Sequence, residues 1–339
     1  KLNEGLYVLY LNDRNYFDFL IGSDQEFSLS TEYPDPYAKL EFSGSEESRL
    51  FLQYQKFLKQ KSEEKAEWTN AFQQAEEGAK NELREKIRSV DQQMSSYLDA
   101  ARKEKPGSMF AVFMNGVYSS PVPEAPVPKT HPKYDSIAWF HQYFYQRDHF
   151  LDGIDFSDDR ILNTPLLRPK LETYFNKILL QAADSIIPYA LRVIRKAQIN
   201  PTMYQYISQY LLNHSLQSNI MGMDAVFVAV ADSVYLNGKA SWADSTTLAK
   251  IAEEAYLSRY NLIGRKAPEI VMTDISGESV SLHQLNADYT LLIFWEPGCG
   301  HCKKEIPELY EKLYMKYIDR NLEVFAVFTG SEDEEQEWR

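Results

Sequence analysis

The chain has 339 residues, 44% of them hydrophobic and 25% charged, and carries a formal net charge of −13. That length exceeds one core of ordinary size and predicts two or three domains. The acid excess, with basic residues interspersed, excludes a nucleic-acid partner, which needs a basic stripe, and no apolar run is long enough for a membrane-spanning helix.

Residues 6–11, 16–21 and 27–30 read as short strands separated by turn chemistry at Asn12-Asp13-Arg14-Asn15 and Gly22-Ser23-Asp24. This opening lacks the basic start and apolar stretch of a signal peptide, a segment that an exported precursor loses. Three short strands are too few for an independent sheet, so they are expected to join a partner sheet or strands upstream of residue 1. From 46 to 105 the pattern is helical and highly charged, with one stripe through Leu50, Tyr54 and Phe57 and another through Leu83, Ile87, Val90 and Met94. Gly78 lies in the weakly apolar stretch between them, and one long helix or a helical pair fits. Without sustained heptads, this segment is expected to pack within its own domain. Pro106-Gly107 ends it, and residues 109–118 are expected to return one strand. Pro121-Val122-Pro123-Glu124-Ala125-Pro126-Val127-Pro128 is a polyproline-II stretch, expected to be a domain boundary and linker over 121–130.

Helices are predicted over 136–144, 168–183, 186–197, 203–216, 224–235 and 242–260, punctuated by Asn163-Thr164-Pro165, Asn200-Pro201-Thr202 and Asn237-Gly238. His141 and His149 stand two helical turns apart, too far to share one ion, and read as surface or packing residues. After Gly264 the character changes. Residues 269–272 and 280–282 flank Asp274-Ile275-Ser276-Gly277, a hairpin signal. The apolar run 289–295 predicts a strand buried on both faces, 299–317 a helix, and 322–328 a second buried strand, together a βαβ unit. The fold class is thus multi-domain α+β. A partial β-rich N-terminal domain (1–120) contains the helical segment 46–105, a mostly α-helical domain covers 131–262, and an α/β unit covers 263–339.

The only two cysteines, Cys299 and Cys302, fall within Trp295-Glu296-Pro297-Gly298-Cys299-Gly300-His301-Cys302. A separation of three rarely arises when two cysteines scatter over so long a chain. Their expected position is the junction of a buried strand and a helix. There Cys299 would face unpaired backbone N–H groups that favour thiolate, and Cys302, one turn later, could attack a mixed disulfide at Cys299. Gly298 and Gly300 leave the sulfur open, Pro297 fixes the approach, and His301 would stabilise the thiolate if it donates. No metal or dissociable cofactor is expected, because no second C-x-x-C or H-x-x-x-H completes a zinc site. A structural disulfide, a zinc half-site shared with another chain, and a peroxidase remain as alternatives.

Residues 264–339 resemble the thioredoxin-like domain of exported thiol–disulfide oxidoreductases of the TlpA/ResA type. The marks are Gly264-Arg265-Lys266-Ala267-Pro268, the 274–277 hairpin, Phe294-Trp295, and Cys299-Gly300-His301-Cys302 followed by Glu305 and Pro307. The resemblance implies Cys299 as attacking and Cys302 as resolving cysteine. It implies Glu305 as an acid adjusting their acidity, against the plainer role of a helix-surface glutamate. It further implies protein thiol or disulfide substrates, a membrane or periplasmic electron donor, and a periplasmic or cell-envelope location with a lipid anchor in some precursors. Gly300-His301 is the dipeptide typical of protein disulfide isomerase, so redox direction stays open. Upstream, Gly5-Leu6-Tyr7, Tyr16-Phe17-Asp18-Phe19-Leu20 and Phe42-Ser43-Gly44-Ser45 resemble the DUF4369 type of Bacteroidetes. Met221-Gly222-Met223-Asp224-Ala225-Val226-Phe227 and Asn261-Leu262-Ile263-Gly264 resemble the DUF5106 type. The thioredoxin fold normally continues through two more strands, a helix and a cis-proline loop, so this unit is expected to be truncated and the N-terminal domain incomplete. The rival expectation is a binding or scaffold protein whose upstream domains carry the function.

Overall fold

The computed structural model describes residues 1–12, 15–32, 35–331 and 334–338. Its contacts form two compact units, Lys1–Leu262 and Ile263–Arg339.

In the first unit, β1 (Gly5–Asn12) pairs antiparallel with β2 (Asn15–Ile21), and β3 (Ser28–Ser30) with β4 (Glu41–Ser43). Asp13 and Arg14 of the expected first turn lie outside the described residues. Two long helices follow, α1 (Glu46–Gln74) and α2 (Glu77–Glu104). The chain therefore forms a helical pair, and the break falls at the extended residues Ala75 and Glu76, with Gly78 inside α2. Lys65 with Asp91, and Phe57 stacked on Tyr97 with ring centroids 4.0 Å apart, hold the pair antiparallel.

The strand expected over 109–118 is instead a helix, α3 (Met109–Val117). Its residues are apolar nearly all round, a pattern whose periodicity does not separate a buried helix from a buried strand. Two caps decide the matter. The Ser108 side chain accepts from Ala111 N, and the Glu47 carboxylate, only 1% exposed, accepts from Phe110 N at 2.9 Å. Glu47 lies in the first turn of α1, where a Cβ on Gly22 would come within 2.2 Å of its carboxylate. Next to it, Ser48 donates to Leu20 O at 2.6 Å. One small polar knot thus joins β2, α1 and α3 over the core formed by Leu20, Phe51, Phe110 and Met114.

The Pro-rich segment 121–128 lacks regular structure, yet it does not separate two compact units as its composition suggested. Arg160 reaches back across it. The guanidinium donates to Glu4 Oε2 at 2.6 Å, to Gly107 O at 3.0 Å and to both carboxylate oxygens of Asp158, while Asn163 Nδ2 donates to Glu4 O at 2.8 Å. Lys170, itself buried, donates to Gly116 O and Tyr118 O at the end of α3.

Beyond the strap come α4 (Tyr134–His149), α5 (Leu167–Thr173) continued by a π-helical turn (Tyr174–Ile178), α6 (Ala183–Ala197), α7 (Pro201–Leu216), α8 (Asp224–Val230) with another π turn (Ala231–Tyr235), and α9 (Ser245–Tyr260). The helix expected over 168–183 thus ends at the first π turn. Asn200 caps α7 by accepting from Met203 N at 3.1 Å with Pro201 at the first helical position, and Asp244 caps α9. Phe175, Leu171, Ile207, Leu211 and Phe227 form the centre of this layer. His149 pairs with Asp152 at 2.6 Å.

In the second unit, β5 (Val271–Thr273) and β6 (Ser279–Ser281) form a hairpin. Asp274 Oδ1 accepts from Ser276 N and Glu278 N within its turn, and Gly277 sits at φ +89°. Strand β7 (Tyr289–Trp295) runs parallel to β8 (Leu322–Phe328), Tyr289 opposite Leu322 and Trp295 opposite Phe328. Helix α10 (Gly300–Leu309) and a π turn (Tyr310–Tyr314) cross between them. The expected two-sided burial of β7 is not met. None of its residues is buried, and Tyr289 and Phe294 are 70% and 56% exposed. A strand is covered on both faces only where other elements pack on both, and among the described residues β8 is its only sheet partner. In β8, Phe325 and Val327 are buried. After β8, Glu335–Trp338 is helical, and Glu332 and Asp333 lie outside the described residues.

Replacing Glu47 strands the buried N–H of Phe110. Glu47→Ala is expected to lower the stability of the first unit by about 2 kcal/mol, read from the urea midpoint. The neighbouring Glu46→Ala, whose partner Lys105 lies at the surface, is expected to leave that midpoint nearly unchanged.

Candidate active site

Strand β7 ends at Trp295, whose carbonyl accepts from Thr329 N at 3.2 Å beyond the end of β8. Its indole packs on Trp338, ring centroids 5.9 Å apart. The chain then turns, with Pro297 buried and Cys299 N donating to Glu296 O at 3.3 Å. This turn delivers Cys299 to the N-cap of α10. There Cys299 Sγ accepts from Cys302 N at 3.2 Å, and Cys299 O accepts the first helical hydrogen bond, from Lys303 N at 3.1 Å. Both cysteines are free and half-buried, accessible to a reagent.

The two thiols are driven apart in acidity. Cys299 is held below its ordinary value chiefly by a hydrogen bond from the Cys302 thiol, helped by the backbone N–H groups of Cys302 and His301. Cys302 is pushed up, above all because it donates its proton to Cys299, with burial adding to the effect and the Glu296 backbone N–H opposing it. Glu296 acts on both through its negative charge, which disfavours each thiolate. Both shifts run in the direction that favours thiolate at Cys299 over Cys302.

The structure places the other predicted residues as follows. His301 is exposed, and the group it directs at Cys299 is its backbone N–H. Glu305 is exposed on α10, and its charge falls on Lys312. Trp295 and Pro297 anchor the turn. Gly300 faces open space, whereas a Cβ on Gly298 would meet the Glu334 carboxylate at 2.3 Å. Sequence reasoning missed Glu296. Its signal was an acid inside the motif, immediately before Pro297. Among the described residues no group of three or more His, Cys, Asp or Glu side chains is placed to hold a metal ion, and no helix is long and apolar enough to cross a membrane.

Two parallel strands joined through a helix that a cysteine thiol caps are the local geometry of the C-terminal unit. Residues 263–339 match the AhpC/TSA family. Thiol-disulfide oxidoreductase ResA of Bacillus anthracis is 37% identical over 71 residues, covering 21% of this chain and 40% of ResA. ResA of Halalkalibacterium halodurans is 38% identical over 64 residues (19% and 36%), and the thioredoxin-like protein YneN of Bacillus subtilis 36% over 76 residues (22% and 44%). The chain spans about two fifths of the length of these curated relatives. A crystal structure of a thioredoxin-like protein from Bacteroides caccae aligns with TM-score 0.49 and 19% identity over 65% of this chain and 78% of that one. The C-terminal unit is a thioredoxin-like domain with relatives among thiol-disulfide oxidoreductases.

Removing the charge of Glu296 without changing its shape should favour thiolate. Glu296→Gln is expected to move the pH profile of iodoacetamide alkylation at Cys299 to lower pH, and Glu305→Gln to leave it in place. Peptide mass spectrometry of the alkylated chain across pH reads both.

Proposed function

We propose that this protein is a thiol–disulfide oxidoreductase that exchanges disulfides with cysteines of other proteins. The observation that carries this reading is the Cys302 N–H on Cys299 Sγ at the start of α10. In the reducing direction the Cys299 thiolate attacks one sulfur of a substrate disulfide. A Cys299–substrate disulfide forms and the other substrate sulfur leaves as thiolate, taking up a proton. Cys302 then loses its proton and attacks Cys299 Sγ, releasing the second substrate thiolate and closing the Cys299–Cys302 disulfide. Two electrons pass to the substrate, and a dithiol donor restores the pair by the reverse exchange. No dissociable cofactor enters this scheme.

His301 and Glu296 bias the thiolate, Trp295 and Pro297 position it, and Glu305 contributes at most a more distant charge. The cell envelope or periplasm, reached by export and for a lipoprotein precursor with a lipid anchor, is the compartment this chemistry suits. A membrane or periplasmic thiol donor would supply its electrons. The likenesses of residues 1–120 and 131–262 to the DUF4369 and DUF5106 types belong to the same proposal.

Equilibration against dithiothreitol and glutathione buffers is expected to show one reversible two-electron transition, absent in Cys299→Ser. Cys302→Ser is expected to accumulate the mixed disulfide with a substrate peptide. A pair that never cycles overturns the reading, and steady peroxide consumption with a thiol donor would replace it with a peroxidase.

A further inference from the structure

The first unit holds a groove that the thiol chemistry does not use. It has a volume of about 720 Å³ and lies between α5 with its π turn and the outer face of α7. That is within the usual size of small-ligand sites. Its lining differs from the rest of the surface. One residue in four is charged along the chain, yet residues 197–223, which include all of α7, contain no Asp, Glu, Lys or Arg. The face that α7 turns to the groove carries amides, phenols and an imidazole, among them Tyr206, Gln209, Tyr210, Asn213 and His214.

Across the groove stand Arg168 and Glu172, which neutralise each other through an Nε–H to Oε1 bond of 2.9 Å. The π turn supplies Asn176, and such turns recur at functional sites. His214 Nε2–H donates to Asn176 Oδ1 at 2.7 Å, and burial holds the imidazole below its ordinary value. The neutral ring therefore keeps Nδ1 as an acceptor. Tyr210 also lines the groove, its hydroxyl buried with no hydrogen-bond partner among the described residues.

We propose that the α5–α7 groove binds a neutral, polyhydroxylated ligand of the oligosaccharide class. The argument is one of matching. Each sugar hydroxyl both donates and accepts, and a side-chain amide offers both roles in one plane. The apolar C–H face of a pyranose lies against an aromatic ring, which half-buried Tyr206 provides. An anion finds the one groove cation already paired with Glu172. A peptide finds no sheet edge and no apolar anchor pocket between two polar helix faces. The groove belongs to the first unit and the cysteine pair to the second.

The test uses the full chain, an array of neutral oligosaccharides built from hexoses, N-acetylhexosamines and pentoses, and saturation-transfer NMR on those retained. Binding is expected with saturation concentrated on ring C–H protons. Tyr206→Ala is expected to weaken it about tenfold or more, the loss of one aromatic contact with its buried area, while Tyr206→Phe and Cys299→Ser retain it. Circular dichroism confirms that each variant is folded. The proposal is overturned if no neutral sugar is retained, if Tyr206→Ala binds as well as the parent, or if tetra-alanine or inorganic phosphate binds at these residues in place of sugar.

Discussion

The first N–H groups of a helix have no partner inside it, and this chain meets that constraint repeatedly in ways that fix its architecture. Ser45, Ser108, Asn200 and Asp244 each turn a side-chain oxygen onto the helix they begin. Glu47 extends the same device over a distance, its buried carboxylate closing the start of α3 from the start of α1. At α10 the capping atom is a sulfur. An oxygen cap simply satisfies the donors. A thiol cap does so best as an anion, so the requirement that shapes the fold elsewhere here favours the thiolate form of Cys299.

Much of this was legible in the sequence where local chemistry decides. Asn200-Pro201 announces α7 because an Asn cap and a proline at the first helical position each suit that start. Asp274 and Gly277 announce the hairpin, and two cysteines three apart after an apolar run announce the site. Where the local reading failed, the deciding contact lay far along the chain. Residues 109–117 become helix under two caps, the local Ser108 and a carboxylate 63 residues earlier in the chain, which no local window contains. Between one long helix and a helical pair over 46–105, which the sequence left open, the structure has the pair, broken at Ala75-Glu76 and held by Phe57 on Tyr97, with Gly78 tolerated inside a helix. Glu296 was overlooked because its reach to both sulfurs depends on the turn after β7, whereas Glu305 entered through the family resemblance beside its plainer role as a helix-surface glutamate.

Charge is handled with similar economy. Arg160 is sheltered, and its proton is held firmly by Asp158 and Glu4. Lys170 is the opposite case, buried against carbonyl oxygens with no carboxylate cause acting on it, and burial alone brings it down to about 8. Ion pairing at Arg160 and dipole contact at Lys170 thus join segments on either side of the Pro-rich strap. The groove beside α7 lacks free charge altogether, in a protein whose surface is otherwise strongly acidic.

The bond from Arg160 to Glu4 joins residues 156 positions apart, and this has a consequence for biosynthesis. A ribosome adding roughly 5–20 residues per second takes about 8–30 s to make that length of chain. Through that interval the β1–β2 hairpin is already synthesised but lacks its tether, with Val8, Tyr10, Leu11 and Tyr16 still largely exposed even in the finished fold. An apolar strand edge waiting that long is an aggregation hazard, and the Arg160–Glu4 bond can act on it only once the segment beyond the strap has been made.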